Sequence, residues 1–160
     1  MKILSRPYCD QDRAQCLAIF ETNIGLYFAK DELQDFKQFL EHEVQNNHYL
    51  VLYAENKPER ILACGGCGEL EEQAFLRWGM VDQRRHKRGL GGQLLIQRLK
   101  LVEKKLLANE VLIDTSQHVQ GFYEKYGFEA ISVIKDGFAP NIDKVRMRFS
   151  DWDHALLKAV

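Results

Sequence analysis

Residues 81–99 read VDQRRHKRGLGGQLLIQRL. An apolar, strand-like segment ends at Val81, the basic residues Arg84, Arg85, His86, Lys87 and Arg88 run into Gly89, Gly91 and Gly92, and an apolar repeat of helical period begins at once. A strand end, a run of small residues and a helix start together make an anion site. First-turn N–H groups have no acceptor inside the helix, and the macrodipole places roughly half a positive charge at the same point. Glycine lets an anion approach those main-chain donors with no Cβ in the way. A P-loop would need Gly-Lys-Ser or Gly-Lys-Thr after four intervening residues, and a dinucleotide fingerprint would need G-x-G-x-x-G. Neither fits, because Gly92 is followed by Gln93 and Leu94.

Downstream of the loop, Leu95, Leu99, Val102 and Leu106 mark a helix that ends near LLANE (106–110). VLIDTS (111–116) predicts a strand buried on both faces. In QHVQGFYEKYGF (117–128), Val119, Phe122 and Tyr126 form a helical stripe, Gly127 occupies the left-handed C′ position and Phe128 the C″ position of a Schellman ending. EAISVIK (129–135) and KVRMRF (144–149) predict strands around a loop DGFAPNID (136–143). Ser150 or Asp151 then caps a terminal helix through Trp152, Ala155 and Leu156.

Upstream, KILSRPY (2–8) predicts a strand, and Asp10 an N-cap for a helix carrying Ala14, Leu17, Ala18 and Phe20. TNIGLYF (22–28) breaks that helix, and Leu33, Phe36, Leu40 and Val44 set the next. YLVLYA (49–54), RILACGGCGEL (60–70) and AFLRWGMV (74–81) are three strands joined by connections short enough for an antiparallel meander. The order predicts one domain over residues 1–160, an α/β fold with a mixed, mostly antiparallel twisted sheet of about seven strands flanked by helices.

The 160 residues are 46% hydrophobic and 28% charged with three prolines, which excludes a disordered or low-complexity chain. A formal net charge of −1 makes the basic run a local feature and argues against general nucleic-acid binding. With no apolar stretch of signal-peptide or membrane-spanning length, a cytoplasmic protein with no membrane partner is expected. Cys9, Cys16, Cys64 and Cys67 are then read as reduced thiols. CGGC (64–67) has redox or zinc spacing but lies within a strand and lacks a second pair of ligands at compatible spacing, so no metal is expected. Its glycines point to a bulge or a close backbone approach.

The run His86-Lys87-Arg88-Gly89-Leu90-Gly91-Gly92 resembles the coenzyme A pyrophosphate loop, Q/R-x-x-G-x-G/A, of the GNAT-type N-acetyltransferases. GFYEKYGF (121–128) looks like the tyrosine-bearing helix, ending in Gly-Phe, that follows the next strand in that family. The resemblance implies the acyl-CoA N-acyltransferase fold and an acetyl-CoA-dependent acyltransferase moving an acetyl group directly to an amine. A non-catalytic acyl-CoA-binding regulatory or interaction module of the same fold is the alternative.

By the same resemblance, backbone atoms of Gly79, Met80 and Val81 pair with the pantetheine arm, and amides from Lys87 to Gly92 bind the pyrophosphate. An amide near Met80 faces the thioester carbonyl, and Tyr123 protonates the departing thiolate. His86 stands where glutamine or arginine is usual, and Ser116, whose hydroxyl is expected to bond a pantetheine amide, where many members have asparagine. No general base matches by position. Glu69 is the expected one, beside Glu71 and Glu72 at a strand turn, with His48 and His118 as further candidates. Asn23, Tyr27 and Phe28 in NIGLYF and Phe138 in DGFAPN are expected to wall the pocket of a small-molecule or peptide amine. A homodimer is the expected assembly on general grounds.

Overall fold

The apolar alternation from His48 to Val81 folds as a meander because its connections are too short for anything but antiparallel neighbours. The computed structural model describes residues 2–158, apart from the side chains of His86, Lys87 and Arg88. The strands are β1 (Ile3–Pro7), β2 (His48–Ala54), β3 (Lys57–Leu70), β4 (Gln73–Val81), β5 (Val111–Thr115), β6 (Glu129–Ala139) and β7 (Ile142–Phe149). The helices are α1 (Arg13–Thr22), α2 (Glu32–Gln38), α3 (Leu90–Leu101), α4 (Gln120–Lys125) and α5 (Ala155–Lys158). One seven-stranded sheet runs β1-β2-β3-β4-β5-β7-β6, antiparallel throughout except for β4 beside β5.

Helices cover both faces. Cys16, Ile19 and Phe20 of α1 and Phe36 of α2 pack on Tyr49, Val51, Cys64 and Met80. On the other face Leu95, Leu99 and Tyr123 pack on Cys67, Leu76, Ile113 and Met147. The two outer cysteines of CGGC thus point to opposite faces as small apolar side chains, both buried and unpaired. The C-terminal end of α4 closes as its sequence predicts. Gly127 has φ 94°, its amide donates to the Glu124 carbonyl at 3.0 Å, and the Phe128 amide donates to Tyr123 at 3.2 Å.

Three local expectations are corrected. Asp10 does not cap α1. The chain enters through a 3-10 turn, Asp10–Asp12, and the buried Asp12 carboxylate takes the Cys9 amide at 2.9 Å and both terminal nitrogens of Arg6 at 2.7 and 2.8 Å. Residues 136–143 are not an open loop; they lengthen β6 and β7 to a tight turn at Pro140 and Asn141. There the Asp136 carboxylate accepts from the Asn141 amide and Asp143 from the Asp136 amide, satisfying donors that the irregular ladder releases. Ser150 and Asp151 start no helix. Trp152 precedes α5, donating its indole N–H to the Asn109 carbonyl at 2.7 Å and packing edge-on against Phe149. Among the described residues no helix is long and apolar enough to cross a membrane.

Candidate active site

Parallel pairing of β4 with β5 covers only Ala74 with Val111 and Phe75 with Leu112. From Leu76 onward the two strands part, and the edge of β4 that faces β5 carries no strand partner. The cause lies within β4. Cys64 of β3 stands opposite Met80 and Gly66 opposite Arg77, so Trp78 and Gly79 together span the place of Gly65. This is a β-bulge, and it shifts the phase of the strand. Leu76 faces α3, whereas Arg77, Trp78 and Met80 all face the α1–α2 side, where Arg77 lies over Phe39 and Trp78 over Phe36.

Trp78 sits at φ 46°, a conformation that costs an L-residue about 1–2 kcal/mol. Two things hold it there. Its indole packs against Phe28, Phe36 and Phe39 with ring centroids 5.8, 5.2 and 6.3 Å away, and its carbonyl accepts the Tyr49 hydroxyl at 2.7 Å. Burial pushes the Tyr49 phenol well above its ordinary range, so it stays a neutral donor.

The gap between the strands is a cavity of about 580 Å³. At one end Gly89, Gly91 and Gly92 line it. Gly89 is left-handed at φ 70°, α3 starts at Leu90, and Gln93 is the first amide to bond back, to the Gly89 carbonyl at 3.2 Å. The amides of Leu90, Gly91 and Gly92 therefore precede the first hydrogen bond within α3. Leu90's own side chain is in the core. Gly92 leaves no room for a Cβ, which would collide with the Tyr126 hydroxyl.

The approach to this loop is set by Asp82. Its carboxylate accepts the Arg84 amide at 3.0 Å and the Arg84 guanidinium at 2.9 and 2.8 Å, with Arg85 3.8 Å away. Burial alone would raise the Asp82 carboxyl, but the hydrogen bonds from Arg84 outweigh it and hold it below the usual range. Arg84 and Arg85 are thus turned back onto Asp82. The expected contributions of the His86, Lys87 and Arg88 side chains lie outside the described residues.

Of the residues predicted from sequence, Gly79, Met80, Val81, Gly89, Gly91, Gly92, Tyr123, Asn23, Tyr27, Phe28 and Phe138 all line this one cavity. Several have structural duties too. Asn23 is buried, and its amide donates to the Ile19 and Val81 carbonyls at 2.8 and 3.0 Å and accepts from Gln83, tying the end of α1 to the end of β4. The Val81 carbonyl is thereby engaged within the fold. Ser116 is buried with its hydroxyl directed at the Leu26 carbonyl, 3.4 Å away, and is not part of the cavity wall. Glu69 is exposed near the β3–β4 turn, and it, Glu71, Glu72 and His48 stand apart from the cavity lining, whereas His118 is within it.

Glu32 and Arg98 are two of the cavity residues that sequence reasoning missed. Glu32 opens α2, half-buried, with Oε2 accepting the Ala29 amide at 2.7 Å. Burial pushes its carboxyl up to about 7, aided by Asp35 and opposed by the Ala29 hydrogen bond and Lys144. Its only sequence signal was a carboxylate in a helix first turn close to the apolar NIGLYF segment. The other is Arg98, on α3 beside the apolar stripe, where a charged side chain reads as solvated.

The family model for the acetyltransferase (GNAT) domain matches residues 25–150. The chain belongs to the GNAT acetyltransferases. The solved structures agree on the fold. A protein described as a GNAT-family acetyltransferase from Desulfovibrio desulfuricans is 21% identical, with 93% of this chain and 99% of that one covered at a TM-score of 0.72. The ribosomal-protein-S18-alanine N-acetyltransferase of Escherichia coli is 16% identical over 92% and 93% of the two chains, TM-score 0.74. The PaiA N-acetyltransferase of Thermoplasma acidophilum, solved in complex with coenzyme A, is 17% identical over 94% and 99%, TM-score 0.70. No curated protein matches the chain by sequence. In this GNAT domain the parted strands, the glycines at the start of α3 and Tyr123 are brought to one cavity, a geometry suited to acetyl transfer from coenzyme A.

Proposed function

We propose that this GNAT domain transfers an acetyl group directly from acetyl-coenzyme A to an amine. The carrying observation is that one continuous cavity joins the start of α3, at Gly89, Gly91 and Gly92, to Tyr123 and Glu32. The residues fit the coenzyme. Gly91 and Gly92 present no Cβ toward a pyrophosphate, and the open edge of β4 offers an extended arm backbone partners.

In this reading Glu32 accepts a proton from the incoming amine, and a carboxyl held near 7 is half ionised at neutral pH. The amine lone pair then forms the C–N bond. An amide of the β4 bulge near Met80 meets the oxyanion, a contribution whose loss typically costs about 3 kcal/mol. As the C–S bond breaks its electron pair leaves with sulfur, and the Tyr123 hydroxyl supplies the proton. Glu32 replaces Glu69 as the proposed base because it lines the cavity. Tyr27, Phe28 and Phe138 wall the acceptor end.

The test is thermal unfolding with acetyl-coenzyme A, coenzyme A, ATP and NADH. At a hundred times its dissociation constant a ligand stabilises the fold by about 2.7 kcal/mol. Only the coenzyme A species should raise Tm, and Gly91→Glu should abolish the shift by placing a carboxylate at the pyrophosphate. A Cβ at Gly91 meets the Phe122 ring at an ordinary 3.5 Å, so the variant should still fold. No shift with either coenzyme A species overturns the reading. A shift without turnover on any member of an amine panel, and with no difference on Tyr123→Phe, would instead mark a non-catalytic acyl-CoA-binding module.

A further inference from the structure

Arg98 is 2% exposed and heads the largest fully buried side chains of the fold. It leaves α3 toward the sheet and occupies the space that two glycines vacate. A Cβ on Gly79 would stand 2.6 Å from its Cζ, and one on Gly65 would stand 3.3 Å from its Cδ. Its Nη2 lies 3.4 Å from the Tyr123 hydroxyl, while Nε and Nη1 are buried with no hydrogen-bond partner. Tyr123 from α4 faces it, with Cys67 of β3 and Tyr49 of β2 close enough to feel its charge. Among the described residues no carboxylate oxygen lies within 4.0 Å of the guanidinium. An uncompensated cation in a protein interior is strongly unfavourable, and this one sits on the wall of the cavity.

We propose that Arg98 supplies the countercharge for the thiolate of coenzyme A as the acetyl group leaves. The inference rests on the acetyl-coenzyme A reading above. When the amine nitrogen bonds to the carbonyl carbon and the C–S bond breaks, sulfur takes the electron pair. The guanidinium, fixed behind Gly79 of the bulge and beside Tyr123, stabilises that charge whether or not the Tyr123 proton has yet moved. A thiolate suits the geometry better than a carboxylate would. A carboxylate is held by a guanidinium through two parallel nitrogens, and here Nε and Nη1 are occluded, leaving the edge at Tyr123.

The free product reports the same interaction. An opposite charge within about 4–6 Å shifts an acid by roughly one to three pH units, so bound coenzyme A ionises below the value of its free thiol. Its affinity for the wild-type protein should therefore rise several-fold between about pH 6 and pH 9 relative to desulfo-coenzyme A, which lacks the thiol. Glu32, Asp114, His118, Lys125 and Tyr126 also line the cavity; their action on the parts the two ligands share cancels in the comparison, and any action on the thiol itself is the gap that would survive in Arg98→Met.

The experiment is calorimetric titration of both ligands across this range into wild type, Arg98→Met and Arg98→Lys. Arg98→Met should erase the gap between the ligands, and Arg98→Lys should keep part of it. Without ligand, Arg98→Met should melt no lower than wild type, since an unpaired buried charge has been removed. Should that variant fail to fold, the ultraviolet absorbance of thiolate in the wild-type complex, compared with that of free coenzyme A between about pH 7 and pH 9, decides. Parallel pH profiles for the two ligands in wild type, a gap that survives in Arg98→Met, or no thiolate absorbance would overturn this inference alone. Failure of both ligands to bind would overturn the coenzyme A reading, and this one with it.

Discussion

Removing one hydroxyl, Tyr49→Phe, tests whether the bulge is held from behind. The Tyr49 hydroxyl donates to the Trp78 carbonyl at 2.7 Å, and Trp78 is the residue at φ 46°. The ring would stay in place, edge-on to Tyr8 and Phe39 with centroids 5.8 and 5.2 Å away, so no cavity opens. A hydrogen bond of this kind is worth about 1 kcal/mol net, and a buried carbonyl left without a donor costs about 1–3 kcal/mol. Relaxation of Trp78 toward an ordinary conformation returns up to about 1–2 kcal/mol, which leaves a net loss of about 1–2 kcal/mol. For a chain of this size that is a fall in Tm of about 2–8 °C. Relaxation moves the β4 edge, so kcat/KM for acetyl transfer should fall about tenfold, equivalent to 1.4 kcal/mol. The stabilisation by coenzyme A should persist, because the amides of α3 are untouched. Urea unfolding and steady-state kinetics measure the two effects. A stability change under about 0.3 kcal/mol together with wild-type turnover would refute the claim that Tyr49 holds the bulge.

Other perturbations separate the remaining parts. Glu32→Gln should remove the rise in kcat/KM near pH 7. Because the folded carboxyl is raised above its ordinary value, wild type loses stability as pH climbs from about 4.5 through 7, and denaturation of the variant should lack that decline. Asp12 works in the opposite sense. Burial would raise it, but hydrogen bonds from Arg6 and the Cys9 amide hold it low, so its contribution is present above about pH 4 and is lost as pH falls through the depressed value. Asp12→Asn should cost about 1–3 kcal/mol at pH 7 and flatten the acid limb of the stability profile. Gly92→Ala drives a Cβ into the Tyr126 hydroxyl and should destabilise by about 1–3 kcal/mol while weakening coenzyme A binding, read by unfolding with and without ligand.

Much of this was legible because the signals are local. Gly127 occupies the left-handed position that the residues around it anticipate, and the meander follows from short connections between alternating strands. Tyr123, Phe138 and the NIGLYF aromatics reach the same cavity because the order of elements brings them to the open side of β4. The general base was harder. Glu69 and Glu32 differ little as sequence, and only the packing of α2 against the sheet half-buries one and leaves the other in solvent. Residues 136–143 read as a loop because Gly, Pro, Asn and Asp usually punctuate. Asp136 and Asp143 instead spend their carboxylates on backbone amides and keep the strands going.

The amino-acid sequence by itself determined where elements start and stop, which glycines bend the chain and where free amides gather, since each depends on neighbours within a turn or a strand. The tertiary structure decided the phase of β4 and the fate of Arg98. Strict alternation along AFLRWGMV would set Leu76, Trp78 and Met80 on one face. Pairing with β3 inserts the bulge, sends Leu76 to the opposite face from Trp78 and Met80, and parts β4 from β5. The space behind that bulge exists only because Gly65 and Gly79 meet across two strands, and a third element, α3, fills it with a guanidinium. Burial of a charge is a property of everything packed around it, and those neighbours are set by long-range register that no local pattern encodes.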